Sequence, residues 1–290
     1  MITSCIQHLG RAAVLSACLT SAATAATPTP APSTEKPMSN TEKVVALLKS
    51  IETGDTAPVA YINPARYTQH NLAVGDGLAG FGAVLQALPP GSARVNTVRA
   101  FADGDYVFTH TEYNFFGPKI GFDIFRFDNG QIVEHWDNLQ VTPEAPNPSG
   151  RSMIDGPTQS EALEKTEENK ALARQFVEDI LIGGKMAQLQ QYFDGDHYIQ
   201  HNPQIADGLS GLGAALEAMA KQGIQMEYDR IHKVLGEGNF VLAVSEGSLG
   251  GTHTAFYDLF RIADARIAEH WDVIEAIPPR AEWKNDNGKF

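Results

Sequence analysis

Cysteine is nearly absent. Cys5 and Cys18 are the only two in 290 residues, and both lie at the extreme N-terminus. The rest of the chain therefore has no disulfide, no thiolate nucleophile and no cysteine metal ligand. Cationic side chains are also scarce, 22 Lys and Arg against 35 Asp and Glu, for a formal net charge of -13. Such a chain neutralises phosphates poorly, so neither nucleic acid nor an anionic membrane surface is an expected partner. There is no Gly-rich phosphate loop after a strand, no G-x-S-x-G and no H-E-x-x-H, which leaves nucleotide-dependent chemistry and serine-nucleophile hydrolysis with little support. What remains is an ordinary globular composition, 43% hydrophobic and 20% charged, in a chain long enough for two domains.

The longest apolar stretch, "AAVLSACLTSAATAA", is too short and too rich in Ala, Ser and Thr to predict a membrane span. Preceded by Arg11 and ending near Ala23-Thr24-Ala25, it predicts a signal peptide over 1–26 and an exported, periplasmic protein. Two alternatives stand beside that reading. "LSAC" at 15–18 resembles a lipoprotein box that would lipidate Cys18, and Met38 would open a cytoplasmic protein if it were the true start. Residues 27–40 are a Pro/Thr/Ser linker, expected to be extended or mobile, and 142–161 is a second stretch of this kind.

The sequence on either side of that second stretch matches. "YINPARYTQHNLAVGDGLAGFGAVLQAL" (61–88) aligns without a gap on "YFDGDHYIQHNPQIADGLSGLGAALEAM" (192–219), with thirteen of twenty-eight positions identical. "DGDYVFTHTE" meets "EGNFVLAVSE", "FDIFRF" meets "YDLFRI", and Glu134-His135-Trp136-Asp137 meets Glu269-His270-Trp271-Asp272. The chain is an internal duplication, with a period too long for a solenoid. Domains are expected over 41–141 and 167–277, joined by a linker at 142–166 and followed by a tail at 278–290.

Each copy predicts an amphipathic helix, a short helix after an Asp-Gly pair, and then four strands, about 94–101, 105–113, 120–127 and 131–139 in the first copy. Asn129-Gly130 suits a hairpin turn between the last two strands, and the Asp264-Ala265 of the second copy suits it less. Helices followed by an antiparallel sheet make an α+β unit.

Strand alternation puts Asp123 on one face with Phe125 and Phe127, and Asp258 with Phe256, Phe260 and Ile262. A carboxylate among aromatic rings needs a partner, and desolvation raises its pKa, which is how a carboxyl base comes to act near neutral pH. A buried structural acceptor explains the same pattern equally well. His110 lies one strand before Asp123 and either pairs with it, as an orienting partner or as acid and base across a pocket, or is a structural histidine. Val244 replaces it in the second copy, where His253 is an unaligned substitute. His70 and His201, in "TQHN" and "IQHN", either cap the short helix or line the mouth of a cavity. His135 with Asp137, and His270 with Asp272, share one strand face. No third ligand accompanies these H-x-D pairs at a diagnostic spacing, so no metal is expected.

These residues carry a resemblance. "YIQHNP…DGLSGLGAAL…YDLFRI…IAEHWDVIE" resembles the SnoaL-like, polyketide-cyclase-type family of the nuclear-transport-factor-2-like superfamily. The resemblance implies two tandem cone-shaped α+β domains, each a curved antiparallel sheet wrapped around N-terminal helices over an apolar cavity. It also implies sheet-to-sheet packing into an internal pseudo-dimer, with higher oligomers open. The activity implied is a metal-free, cofactor-independent aldol condensation, cyclisation or isomerisation of a small apolar carbonyl compound. Asp123 with His110, and Asp258, would be catalytic, and His70, His135, Asp137, His201, His270 and Asp272 would bind substrate. A non-catalytic periplasmic protein that holds a hydrophobic small molecule is the alternative.

Overall fold

The computed structural model describes residues 36–290, so the expected signal peptide and Cys18 lie outside the described residues. Ser39 and Glu42 form a capping box at the start of α1 (Asn40–Thr53), the Glu42 carboxylate accepting from the Ser39 N–H at 2.6 Å. Val44, Leu47 and Leu48 of this helix are buried. Next come β1 (Thr68–Gln69), α2 (Gly77–Ala87), β2 (Arg94–Asp103), β3 (Tyr106–Asn114), β4 (Pro118–Asp128) and β5 (Gln131–Val141). The sheet order is β1-β5-β4-β3-β2, with β1 parallel to β5 and the other pairs antiparallel.

The second copy repeats the order: α3 (Thr166–Phe176), β6 (Ile199–Gln200), α4 (Gly208–Lys221), β7 (Met226–Glu237), β8 (Phe240–Leu249), β9 (Thr252–Ala263) and β10 (Arg266–Ala276). Its sheet runs β6-β10-β9-β8-β7. The chain is thus two tandem α+β units. The helix expected from Leu172, Phe176 and Ile180 has α3 as its first part, followed by a π-helical turn over Val177–Ile182. No helix among the described residues is long and apolar enough to cross a membrane.

The Asp-Gly pairs have a physical reason. Asp76 Oδ1 accepts from the backbone N–H of Gln69 at 2.9 Å, and Asp207 Oδ1 from that of Gln200 at 3.0 Å, tying the short helix to the short strand. One turn into each helix, a Cβ on Gly80 would lie 1.7 Å from the Gly75 carbonyl oxygen, and one on Gly211 would lie 2.3 Å from that of Ala206. Only glycine permits that approach.

The two faces of each sheet do different work. Phe125 and Phe127 pack on α1 with Val44 and Leu47, and Phe256 and Phe260 pack on α3 with Ala173 and Phe176. The opposite faces meet in one shared core that includes Phe122, Ile124 and Trp136 from the first copy and Leu242, Tyr257 and Trp271 from the second.

The contacts across this core are reciprocal. The backbone N–H of Ala102 donates to Glu237 at 2.7 Å, and that of Gly236 donates to Asp103 at 3.0 Å. Ile274 N–H donates to Gln140, and Leu139 N–H to Glu275. Each pair is the other with the copies exchanged, the signature of an isologous interface.

The stretch over 142–161 is not the loose linker expected from its composition. Asn147 donates to the carbonyls of Gln200 (2.7 Å) and Ile205 (2.9 Å), and Met153 is buried. Asn285, in the tail that follows β10, donates in the same way to the carbonyls of Asn71 (2.8 Å) and Val74 (3.0 Å). Proline and polar residues do not keep a segment mobile when its amides find buried carbonyl partners. Each copy is therefore strapped by the segment that leaves the other one.

Candidate functional site

In both copies the last strand carries a one-residue bulge just before Glu-His-Trp-Asp, between Ile132 and Glu134 and between Ile267 and Glu269. After the bulge, alternation turns His135 and Asp137, or His270 and Asp272, toward the helices, while Trp136 and Trp271 turn into the shared core. Register across the hairpin places Asp137 opposite Asp123 and Asp272 opposite Asp258. Each copy thus gathers an Asp-His-Asp cluster whose donor atoms lie within 4.8 Å of one another. These six are the residues among the described ones that could together hold a metal ion. Sequence spacing did not reveal the third member because Asp123 and Asp258 arrive from a neighbouring strand.

The hydrogen bonds fix one proton of His270. Gln200 Oε1 accepts from the backbone N–H groups of His201 and Asn202, both at 2.9 Å, so it is the acceptor end of the amide. His270 Nδ1, 3.1 Å from that oxygen, must therefore donate. Its Nε2 lies 3.0 Å from Asp258 Oδ1, which also requires a proton. One proton is thus shared between Asp258 Oδ1 and Nε2 of His270. Burial works to lower its pKa, but the hydrogen bond to Asp258 and the charges of Asp272 and Asp258 outweigh burial and raise it. In the first copy Gln69 Oε1 accepts from Asn71 N–H and His135 Nδ1, and His135 Nε2 lies 3.2 Å from Asp123.

The second carboxyl differs. Asn202 donates to Asp272 Oδ2 at 2.7 Å, while Oδ1 is buried and has no hydrogen-bond partner among the described residues. Burial raises the pKa of Asp272, and of Asp137, which has the same arrangement with Asn71. Phenols complete the clusters. Tyr228 donates to Asp258 and Tyr113 to Asp123, and burial drives both phenols well above their ordinary pKa.

A cavity of about 610 Å3 lies over the second cluster. Asp258, His270, Asp272 and Asn202 form its polar end, and Leu212, Leu216, Met219 and Phe260 supply apolar wall. The exposed Ile224 and Gly250 are part of its lining. Leu181, from the π-helical turn, also faces it.

Four of the histidines singled out in the sequence sit elsewhere. His110 pairs in register with Phe122 and stacks on it at 4.4 Å, on the face opposite Asp123; Thr109 stands across from Asp123 instead. The expected His110–Asp123 pair is therefore absent, and the partner of the Asp is His135. His110 accepts from Arg99 at 3.1 Å, and burial, with the nearby Arg99 charge, holds its pKa well below the ordinary value. Because the partner of Asp258 is His270, Val244 does not leave the second copy deficient. His253 is half exposed and bonds Glu246, far down the strand from Asp258. His70 and His201 lie behind the sites, bonded to Glu134 (2.9 Å) and Glu269 (2.8 Å) and stacked on Trp136 and Trp271. The residues missed were Gln69, Gln200, Tyr113 and Tyr228. The Gln had a signal, since "QHN" recurs, but the two Tyr occupy non-aligned positions.

No family model matches the chain, and no curated protein matches it. Several solved structures are similar. TsrD from Streptomyces laurentii is 18% identical, with 34% of this chain and 85% of that one covered and a TM-score of 0.30. An LEH-like epoxide hydrolase of M. tuberculosis is 20% identical, with 35% and 82% covered and a TM-score of 0.31. An NTF2-like protein of unknown function from Burkholderia xenovorans is 19% identical, with 37% and 87% covered and a TM-score of 0.32. The chain is two tandem α+β units, and each of these solved structures matches about a third of it.

Proposed function

We propose that the second copy is a cofactor-independent lyase or isomerase site, of aldol-condensation or cyclase type, for a small apolar carbonyl compound. The observation that carries this reading is a buried Asp258–His270 pair, hydrogen-bonded at 3.0 Å, at the polar end of an apolar cavity. Asp258 takes a proton from the carbon next to the carbonyl, and the C–H electron pair moves toward the carbonyl oxygen. Asp272, whose pKa burial raises, lines the same cavity and donates to that oxygen in its protonated form. The enolate then attacks a second carbonyl or is reprotonated elsewhere. Export to the periplasm belongs to the same proposal, and N-terminal sequencing of the secreted protein tests it.

The binding-protein reading has one observation in its favour. Asp258 is already engaged by both His270 and Tyr228 without any substrate. Prodan, a neutral naphthyl ketone, separates the two. In D2O, an enzyme of this kind exchanges the protons next to the prodan carbonyl, and Ala215→Trp, which fills the cavity, abolishes the exchange. Binding without exchange selects the alternative.

A further inference from the structure

Arg99 belongs to the first copy, is 1% exposed, and serves the second. A bulge between Thr97 and Arg99 turns it across the interface, where its guanidinium lies 4.3 Å from the ring centroid of Trp271. Its N–H groups donate to the carbonyls of Ile154 (3.3 Å), Asp155 (2.5 Å) and Pro157 (2.8 Å) in the 142–161 strap. Trp271 Nε1 donates to the same Asp155 carbonyl at 2.9 Å. The strap in turn holds His201 through the carbonyl of Ser152 at 2.8 Å.

His201 and Trp271 are chain neighbours of the residues that form the second site. Gln200 and Asn202 flank His201, and His270 and Asp272 flank Trp271, each pair facing the cavity. One buried cation thus clamps, from behind, both short segments whose front faces carry His270 and Asp272.

The mirror position behaves differently. Lys233 follows the equivalent bulge and lies 4.0 Å from the Trp136 centroid, but Trp136 Nε1 has no partner among the described residues. A lysine offers a point charge where arginine offers a fork to several carbonyls.

We infer that Arg99 is a positioning residue for the second copy's site, so that the first copy sets the geometry of the Asp258, His270 and Asp272 cluster. The inference rests on the second copy's cavity being the ligand site only for one of its two readouts. The first readout needs no ligand: the ring nitrogens of His270 are titrated by NMR in the full chain. Arg99→Met is expected to weaken proton binding at His270 by about tenfold, with Arg99→Lys intermediate. Lys233→Met, a symmetry-matched loss of a half-buried cation, should leave it within about twofold. The second readout is prodan affinity, which should follow the same order.

If Arg99→Met does not fold, Arg99→Lys against Lys233→Met decides alone. Equal effects of the Arg99 and Lys233 variants on His270, or no effect of either, overturn the inference. Prodan that binds without proton exchange overturns the enzymatic reading and leaves this one standing.

Discussion

Tyr113 and Tyr228 deliver the same phenol to equivalent carboxylates from different strands. Tyr113 reaches Asp123 from β3 at 2.6 Å, and Tyr228 reaches Asp258 from β7 at 3.3 Å. The position aligned with Tyr113 is Gly247, where a Cβ would sit 1.9 Å from the Glu227 carbonyl oxygen. The backbone of β7 occupies that place, and its own Tyr228, registered opposite Gly247, supplies the hydroxyl.

The carboxylates give the sharpest functional prediction. Asp258→Asn is expected to lower prodan proton exchange by on the order of a hundredfold, and Tyr228→Phe to change it by about tenfold or less. Asp123→Asn and Tyr113→Phe are expected to leave it within about threefold, because the cavity that binds the probe lies over the other cluster. Mass spectrometry of the exchanged probe measures all four.

The pH dependence of stability has a definite sign. His270 and Asp272 both bind protons more tightly folded than unfolded. The His270 contribution is complete below its unfolded pKa of about 6.5 and is lost as pH rises through the folded value. Asp272 acts in the same direction from about 3.9 upward, since its charged form is disfavoured only when buried. Urea midpoints of the parent chain and Asp272→Asn, measured upward from about pH 3.5, should shift in the variant's favour as pH rises above about 3.9. A flat difference would mean an ordinary carboxyl.

Two glycines in one helix should respond oppositely to alanine. At Gly211 the new methyl meets a carbonyl oxygen, with an expected cost of about 2–4 kcal/mol. At Gly213 nothing lies within 4 Å, so alanine should gain about 0.5–1 kcal/mol through helix propensity. Thermal unfolding of the two variants tests the helix packing directly.

The second hairpin turn holds Asp264 at φ 48 and Ala265 at φ 54, whereas the first uses Asn129 and Gly130. Left-handed backbone at alanine is costly, so Ala265→Gly is expected to stabilise by about 1 kcal/mol and raise Tm by about 2–4 °C. An unchanged Tm would show that the turn relaxes without strain.

Alternation within a strand was legible, and so was its consequence. The faces of Asp123, Asp258, His135 and His270 follow from counting by twos. His110 was misplaced because pairing between strands depends on the turn at Phe116 and Gly117, both in left-handed backbone. A one-residue change in that register exchanges the faces, and nothing in the strand residues themselves reports it. The strap was illegible for another reason. Its composition describes a chain in water, while its hydrogen bonds depend on carbonyls that only the folded second copy exposes.

The reciprocal interface has a consequence for how the molecule can change. In a dimer of identical chains every substitution appears at both sites, so neither can be altered without altering the other. Here the same contacts are written twice in one chain, and Arg99 and Lys233 already differ. One pocket can be held to its chemistry while the other drifts or takes on a supporting role, and the one-to-one ratio of the two never depends on concentration.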